Sequence, residues 1–475
     1  TPASPVEAAA SPVAPLADLG LVLDTELDAR PVPTSTAAPA LAGSTPRIAS
    51  ATRIGRSPRS DLGLPAAAPA PLPAARAPAP AFADRQKRQQ RIDENAEGAA
   101  PPRTEKAIEL GLQFLADTQR EDGSWSFADS VEADGRAATA QADGAATGLA
   151  LLALLGAGRD HYDEQHGPAV RRGLDYLIER QRDDGLLFPE LGTRSDEARV
   201  GDEVWQVARF YSHGMAAIAL CEAFGMTGDA RLREPAQRAL NYLEATQTPG
   251  RGGWRYAPMV NADLSVTGWQ LMALRSGELA GLSVRPETYD SVRRFVESCR
   301  ERSGRRVRFC YNPTAEPSDP RTSHGRRPGT VMTAVGLLSM LYLGDDPRAA
   351  RIQLGGNHLL ENLPTDGPDA SGVRVARIST IGNPLRDTYY WYYATQVMYH
   401  MGGRYWQSWN DALHPLLVDA QVQEGDLAGS WNPYGPLPDR WSHFGGRHYV
   451  TTMNLLSLEV YYRHLPLYVR VGDRR

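Results

Sequence analysis

The sequence predicts an all-α fold, an α/α toroid of about six helix pairs, preceded by a disordered Ala/Pro-rich N-terminal segment. Three observations lead to this prediction. An apolar helix followed by Gln and Gly-x-Trp recurs with a period of roughly 60 residues. Amphipathic helical patterns alternate with patterns that are apolar nearly all round, and the composition changes abruptly near residue 103.

The recurring pattern places a Gln and a Gly-x-Trp turn after an amphipathic helix. Its four copies span residues 111–125, 172–187, 238–254 and 416–431. The second copy has Leu187 where Trp is expected. The Trp residues of the other copies, Trp125, Trp254 and Trp431, are predicted to be structural and to stack between adjacent repeats.

A second helix follows each of these turns. Residues 142–154 and 262–274 share the pattern Ala-Asp-x3-Thr-Gly, residues 213–220 and 335–341 are looser copies, and weaker units fit at 348–402 and 405–464. These helices carry apolar and small residues on every side, which is typical of a helix that is covered all round. Polar helices outside and apolar helices inside, closed into a ring, make an α/α toroid.

The repeat resembles that of squalene–hopene cyclases and other triterpene cyclases, in which Arg/Lys-Gly/Ala-x2-aromatic-Leu-x3-Gln-x3-Gly-x-Trp recurs. The first copy, from Gly111 to Trp125, fits this pattern. The β subunits of protein prenyltransferases share the same toroid. The resemblance covers residues 104–465 and implies the fold. It does not imply one activity, because this fold hosts cyclases, transferases and binding proteins alike.

Three regions are predicted along the chain. Residues 1–103 are rich in Ala and Pro with Phe82 as the only aromatic residue, so they are predicted to be a disordered linker. Within this linker, residues 16–27 are either an incidental apolar cluster or a docking motif, and the charged run 85–97 is predicted to lead into the toroid as a helix. Residues 104–465 form the toroid, and 466–475 form a tail.

Composition narrows the classes of partner. The net charge of −5 argues against nucleic acid as the main partner. No apolar run reaches the length of a transmembrane helix, while the start at Thr1 rather than Met leaves an upstream signal or anchor open, so no compartment is predicted. Three cysteines without framework spacing argue against a disulfide-built fold.

Asp263 is the candidate catalytic acid. Triterpene cyclases protonate an alkene with the middle Asp of Asp-x-Asp-Asp-Thr, and the matching stretch here is Asn261-Ala262-Asp263-Leu264-Ser265. Both flanking carboxylates are replaced, although protonating an alkene requires a strong acid whose neighbours polarise it. The alternative role for Asp263 is a helix N-cap, and Asp143 has the same placement in the sister repeat.

A zinc site of the prenyltransferase kind is not predicted. That site uses a His in an Asp-x-Tyr-His-Thr context, and the nearest segment here begins at Asp387 and has Tyr390 in place of the His. No paired Cys or His spacing typical of a metal site occurs in the sequence. We therefore predict neither a metal nor another cofactor.

Aromatic residues concentrate in the segment 387–400. On a helix, Tyr389, Tyr392 and Tyr393 share one face, whereas Tyr390 and Trp391 lie on others. Such residues either wall a cavity for an apolar ligand or fill the centre of the ring. We predict candidate cavity residues on the inner helices and at their N-terminal ends: Asp143, Tyr211, His213, Trp269, Asp387, Tyr389, Tyr390, Trp391, Tyr392 and Tyr393.

Two functions follow from these observations. The first is a toroid that binds an apolar or isoprenoid-like small molecule, or a protein partner, in or around a central aromatic cavity without cyclase chemistry. The second is a terpenoid cyclase-like enzyme that uses Asp263 as a nonstandard general acid. Carbohydrate chemistry is a remoter alternative, because it requires two carboxylates that face each other across the cavity.

Overall fold

The computed structural model describes residues 78–88, 90, 100–129, 132, 135–188, 203–301, 306–315, 323–365, 386–435 and 437–463. All of them belong to one compact unit of the chain. Residues 24–74 lie outside the described part. Across the described ranges the regular structure is helical, and extended pairing is limited to isolated bridges.

Twelve helices of eleven or more residues alternate along the described chain between an outer and an inner position. The outer helices are α1 (Pro102–Asp117), α3 (Gly167–Glu179), α5 (Ala230–Thr246), α7 (Pro286–Cys299), α9 (Ala350–Leu360) and α11 (Gly403–Ala420). The inner helices are α2 (Asp143–Gly156), α4 (Glu203–Thr227), α6 (Leu264–Leu279), α8 (Thr330–Tyr342), α10 (Thr388–Met401) and α12 (Ser442–Leu458).

The inner helices close into a ring. Each one packs against the next along the chain, and α12 packs against α2. The outer helices surround this ring, and α11 also contacts α1. The predicted α/α toroid of six helix pairs is therefore confirmed.

Burial separates the two sets of helices as the sequence pattern predicts. In α2, every residue after Asp143 is buried, because the neighbouring inner helices and the outer ring cover all its sides. In α3, one stripe is buried, which includes Val170, Leu174 and Leu177, while the charged residues between them face solvent or the edges of the ring.

The Gly-x-Trp turns fasten each outer helix to the following inner helix. The indole N–H of Trp125 donates to the carbonyl oxygen of Leu115 at 2.7 Å, in the last turn of α1, where helix carbonyls lack intrahelical partners. Its backbone N–H donates to the Thr147 hydroxyl of α2 at 3.1 Å. Trp254 and Trp431 repeat both bonds in their own units. These bonds give the Trp residues a structural role within each repeat, and the stacking between adjacent repeats stays a prediction.

The Gln that precedes each turn links neighbouring repeats. The Gln119 amide donates to Gly123 O at 2.8 Å within its own turn and to Ala169 O at 2.9 Å in the next outer helix. Gln181 and Gln247 make the same pair of bonds. Gln421, in the last repeat, reaches Ala107 O of α1 at 2.8 Å. The motif therefore closes the ring between its last and first units.

Two repeats make the turn without Trp. In the fourth unit, Phe309 takes the place of Trp, and its backbone N–H donates to Thr333 of α8 at 3.2 Å. In the second unit, the backbone N–H of Leu187 donates to the Nδ1 of His213 at 3.0 Å. His213 thus occupies the position that Thr147 and Thr333 hold in their own units.

Residues 78–88, which fall within the range 1–103 that the sequence predicts as linker, form an arm on the ring. Phe82 is 2% exposed and lies against Gly225, where even a methyl group would overlap its ring. Arg85 pairs with Glu222 at 2.7 Å, and both side chains are about 5% exposed. The predicted helical lead-in begins here as the short helix Ala83–Gln86. Residues 1–77 lie outside the described part.

Candidate functional site

A cavity of about 150 Å³ lies where the inner helices α2, α6, α10 and α12 begin and beside the middle of α4. The described residues enclose this cavity only partly and leave it open on one side. Its walls come from α2, α4, α6, α10 and α12 and from the turns that precede them. We call it the mouth cavity; its lining residues are Phe127, Ala140, Ala142, Ala145, Tyr211, Met215, Ser265, Trp269, Tyr389, Trp441, Phe444, Gly445 and Tyr449.

Three hydroxyl groups from three inner helices form a hydrogen-bonded chain in the wall of the mouth cavity. The Tyr211 hydroxyl donates to Ser265 Oγ at 2.8 Å, and Ser265 Oγ lies 2.6 Å from the Tyr389 hydroxyl. Burial raises the pKa of Tyr211 and of Tyr389 above the usual range of a phenol. Both groups are therefore neutral at physiological pH, and the chain offers protons rather than negative charge.

Aromatic rings support this wall from the ring interior. Trp269 lines the cavity and stacks on Tyr392 with the ring centroids 5.6 Å apart, and the edge of Tyr393 meets it at 5.9 Å. Tyr393 also packs against Tyr389 at 4.8 Å. Gly268 allows this approach, because a Cβ there would lie 2.8 Å from the Val335 side chain and 3.3 Å from the Tyr393 hydroxyl. Of the predicted cavity residues, Tyr211, Trp269 and Tyr389 line the cavity.

Asp263 is the N-cap of α6. Its Oδ1 accepts the backbone N–H of Val266 at 2.8 Å, and its Oδ2 lies 3.8 Å from Arg255 Nε. The carboxyl group is completely buried, and this burial raises its pKa to about 6 against the opposing effects of Arg255 and the Val266 amide. Asp263 is not among the lining residues of the mouth cavity.

The other two acidic candidates have different surroundings. Asp143 is the first residue of α2 rather than its N-cap, and its carboxylate pairs with Arg120 at 2.7 Å with 27% of the side chain exposed. Asp387 is the buried N-cap of α10 and accepts the Tyr390 N–H at 2.9 Å. Burial raises the pKa of Asp387, opposed first by Arg440. Neither carboxylate lines the mouth cavity.

His213 is held on both ring nitrogens. Its Nδ1 accepts the Leu187 amide, so its Nε2 carries the proton and faces Ala239 O at 3.2 Å. Burial lowers the pKa of His213 to about 3, which keeps the ring neutral. This arrangement makes His213 a link between the second turn and α5, away from the cavity wall.

Tyr390 and Trp391 point away from the mouth cavity, in agreement with their separate helical faces. The Tyr390 hydroxyl donates to Asn362 O at 2.8 Å, and its ring meets Trp409 of the outer helix α11 edge-on. Trp391 is 5% exposed and, like Tyr390, is absent from the cavity lining.

Several residues that line the mouth cavity were not predicted from the sequence. Phe127 follows the first Gly-x-Trp turn, Trp441 is the N-cap of the last inner helix, and Phe444 lies in the first turn of that helix, where the repeat pattern is weakest. Met215 and Tyr449 lie within inner helices that are buried on nearly every side. The aromatic content of 441–449 was the available signal, but periodicity alone could not assign it to the same opening as Tyr389.

The described part of the chain offers no cluster of three His, Cys, Asp or Glu side chains arranged to hold a metal ion. Nor does any helix within it combine the length and hydropathy needed to cross a bilayer.

Comparison with known families gives one match. Residues 95–193 match the Squalene-hopene cyclase C-terminal domain family. This segment contains α1 to α3 and the first two Gly turns. A search of curated protein sequences found no match.

Comparison with solved structures supports the architecture of the whole ring. Cellobiose 2-epimerase from Bacillus thermoamylovorans B4167 aligns with a TM-score of 0.53 at 10% identity, over 75% of this chain and 97% of that one. Cellobiose 2-epimerase from Spirochaeta thermophila DSM 6192 aligns with a TM-score of 0.51 at 12% identity, over 80% and 97%. At these identities the likeness shows the fold alone.

The type II terpene cyclase MstE from Scytonema aligns with a TM-score of 0.46 at 14% identity, over 77% of this chain and 98% of that one. The helix arrangement and the alignments with the two epimerases establish the fold. The repeat motif and the family match show that its repeats are of the squalene-cyclase type. The chain carries a squalene-cyclase-like α/α toroid domain with a buried aromatic cluster.

Proposed function

We propose that this toroid binds an apolar, isoprenoid-like small molecule in the mouth cavity and does so without cyclase chemistry. The observation that carries the proposal is the composition of the cavity wall. Aromatic rings and aliphatic groups form nearly all of it, and the polar side-chain groups of its lining residues are the three linked hydroxyls, the Tyr449 phenol and the indole N–H groups of Trp269 and Trp441. An apolar concave site with a few convergent polar groups is typical of a small-molecule binding site.

The volume of the cavity limits the part of a ligand that it encloses. An apolar cavity of about 150 Å³ holds a ring of roughly six carbon atoms. Transferring six carbons from water to such a site contributes about 5 kcal/mol at about 0.8 kcal/mol per methylene. A longer molecule would therefore place one end in the cavity and extend through the open side.

The surroundings of Asp263 support a function without cyclase chemistry. Asn261 and Leu264 stand at the positions where the related cyclases have the flanking carboxylates. One carboxylate oxygen is engaged as a helix cap, and the opposing Arg255 favours the charged form over the acid. Both contacts suit a structural carboxylate better than a group that must protonate an alkene.

A terpenoid cyclase-like enzyme that uses Asp263 is the second candidate, and one observation favours it. Burial raises the pKa of Asp263 to about 6, so the group holds its proton at higher pH than an ordinary Asp. Incubation with squalene, followed by gas chromatography and mass spectrometry, tests this candidate. A cyclised product that disappears in Asp263→Asn would support catalysis and overturn the proposal of binding alone.

Filling the cavity tests the binding proposal. Ala140 lies at its rim and is only partly buried, so Ala140→Phe places a ring in the cavity with little disturbance of the helices. Ala128→Phe is the matched control, because Ala128 is exposed beside Phe127 and does not line the cavity. We expect geraniol to bind the parent and Ala128→Phe, and calorimetry to show at least about tenfold weaker binding to Ala140→Phe. Equal affinity for all three proteins would contradict the proposal.

A further inference from the structure

We infer that the ligand of the mouth cavity is uncharged and carries an oxygen acceptor, which the hydroxyl chain of Tyr211, Ser265 and Tyr389 binds. This inference rests on the proposed binding function and narrows the class of ligand to alcohols, ketones, ethers and esters with an apolar body. Two independent features of the cavity wall lead to it, namely its hydrogen-bond donors and its charge.

The first feature is a spare proton in the hydroxyl chain. Three hydroxyls bring three protons, and the two links between them use two. If Ser265 donates to Tyr389, the Tyr389 proton is left over, and if Tyr389 donates to Ser265, the Ser265 proton is left over. The neighbouring Tyr393 hydroxyl makes no hydrogen bond to the described residues, so it leaves this count unchanged.

A spare donor in an apolar wall needs an acceptor. Burying a hydroxyl without a hydrogen bond costs about 1–3 kcal/mol. A ligand oxygen placed against the chain would remove this cost, whereas a hydrocarbon at the same place would seal the proton away from water. The chain therefore favours a ligand with an oxygen over a hydrocarbon of the same shape.

The second feature is the absence of charge among the lining residues. None of them is Arg, Lys, His, Asp or Glu. Burial keeps the phenols of Tyr211, Tyr389 and Tyr449 protonated. A diphosphate or carboxylate would lose its hydration here without gaining a cationic partner, which is costly for an anion. The wall therefore excludes anionic ligands.

The three linked hydroxyls belong to three different inner helices, α4, α6 and α10. A ligand oxygen that binds the chain is consequently fixed relative to several rigid elements at once. Phe127, Met215 and Phe444 complete the wall and contact apolar groups without directing them. The hydroxyl chain thus sets the orientation of the ligand, and the rings set its shape.

Three probes with one carbon skeleton test the inference on the full-length protein. They are geraniol, the matching hydrocarbon 2,6-dimethylocta-2,6-diene, and geranyl diphosphate. We expect geraniol to bind about fivefold more tightly than the hydrocarbon, as one neutral hydrogen bond provides. The diphosphate should bind at least about tenfold more weakly than geraniol. Equal affinity for geraniol and the hydrocarbon, or tightest binding of the diphosphate, would overturn the inference.

Hydroxyl deletions locate the effect. Any one deletion leaves a spare proton in the chain, so each single variant should keep a preference for geraniol. The triple variant Tyr211→Phe, Ser265→Ala and Tyr389→Phe should lose most of the preference for geraniol over the hydrocarbon, because the hydroxyl chain is gone and only the Tyr449 phenol and the indole N–H groups of Trp269 and Trp441 remain among the lining side chains. Tyr390→Phe is the control, because its hydroxyl bonds Asn362 away from the cavity. A triple variant whose preference for geraniol equals that of the parent would refute the assignment of the donor.

The outcomes separate this inference from the proposed function. If no probe binds, or if Ala140→Phe binds as the parent does, the proposed function fails. If the hydrocarbon binds in the cavity as tightly as geraniol, the proposed function stands and the oxygen acceptor is wrong. The comparison of the three probes on the parent protein needs no variant, so it decides the question even if the triple variant does not fold.

Discussion

Asp263 illustrates how one side chain can be pulled towards both protonation states. Burial at the head of α6 favours the neutral acid, while the Arg255 guanidinium and the Val266 amide favour the carboxylate. Burial has the larger effect, so the pKa of the folded protein, about 6, lies above the value of about 3.9 for an unfolded Asp. A raised carboxyl pKa lowers stability once the group ionises.

The pH dependence of stability follows from this shift. Below about pH 4 the Asp263 carboxyl is protonated in both states and makes no difference. Between about pH 4 and 6 the folded state keeps a proton that the unfolded state has released, so the free energy of unfolding falls as pH rises. The total change is about 3 kcal/mol for a shift of about two pKa units. Above about pH 6 this loss of stability is complete.

Asp263→Asn isolates this contribution, because Asn keeps the cap but does not titrate. We expect the parent to lose about 3 kcal/mol relative to Asp263→Asn between pH 4 and pH 6.5, measured by urea unfolding at each pH. Asp143→Asn is the comparison, since Asp143 is partly exposed and paired with Arg120. A parent and an Asp263→Asn variant whose stabilities run parallel across this range would show that the carboxyl is ionised throughout.

At the scale of elements, the glycines of the Gly-x-Trp turns decide how closely the repeats approach. Gly429 has φ of 90°, and an added Cβ would overlap the carbonyl oxygen of Leu110 in α1. The equivalent glycines Gly123, Gly185 and Gly252 meet the backbone of the next outer helix in the same way. The glycine is therefore required twice, for its backbone conformation and for the contact between repeats.

Substituting two glycines of one turn separates these effects. Gly425 has φ of 78° with nothing within 4 Å of an added Cβ, so Gly425→Ala should cost about 1–2 kcal/mol for the backbone conformation alone. Gly429→Ala should lower the free energy of unfolding by about 1–3 kcal/mol more, because the last repeat must move away from α1 of the first repeat to make room for the methyl group. Thermal unfolding of both variants measures the difference. Equal losses would mean that the contact with Leu110 does not limit the packing of the ring.

The sequence predicted the helices and their turns well and the lining of the mouth cavity poorly. The repeat period defined the helix pairs and the role of Trp125, because these depend on residues close together in the chain. The equivalent positions of Asp143 and Asp263 in the motif wrongly predicted the same placement for both. Relative to the motif, α2 begins one position earlier than α6, so Asp143 lies inside its helix and its carboxylate pairs with Arg120. The role of His213 depends on Leu187, a partner that no local pattern identifies.

At the scale of the whole molecule, the two ends of the inner ring differ in chemistry. The mouth cavity, where α2, α6, α10 and α12 begin, is apolar. At the C-terminal ends of the inner helices, Glu222 pairs with Arg85 of the arm and lies 3.4 Å from Arg463. Glu459 is buried nearby, and burial raises its pKa to about 8. The arm thus brings the positive charge of Arg85 to the buried carboxyl groups at the C-terminal ends of the inner helices. The sequence around the arm nevertheless has the composition of a linker.

Truncation of the N-terminus tests the arm. A chain that starts at residue 91 lacks Phe82 and leaves Glu222 without Arg85, so we expect a loss of about 3 kcal/mol or more in the free energy of unfolding. A chain that starts at residue 75 keeps the arm and should match the full-length protein. Chemical unfolding of the three chains gives the comparison. Equal stability of the two truncated chains would show that the arm contributes nothing to the ring.

Locating a bound ligand tests the central claim, that the mouth cavity is the binding site, most directly. A diazirine derivative of geraniol, activated by light and mapped by peptide mass spectrometry, reports the residues that it contacts. We predict labelling of the peptides that carry Met215, Trp269 and Phe444, with loss of the label in Ala140→Phe and its retention in Ala128→Phe. Labelling of the outer helices, or labelling that Ala140→Phe leaves unchanged, would contradict the account.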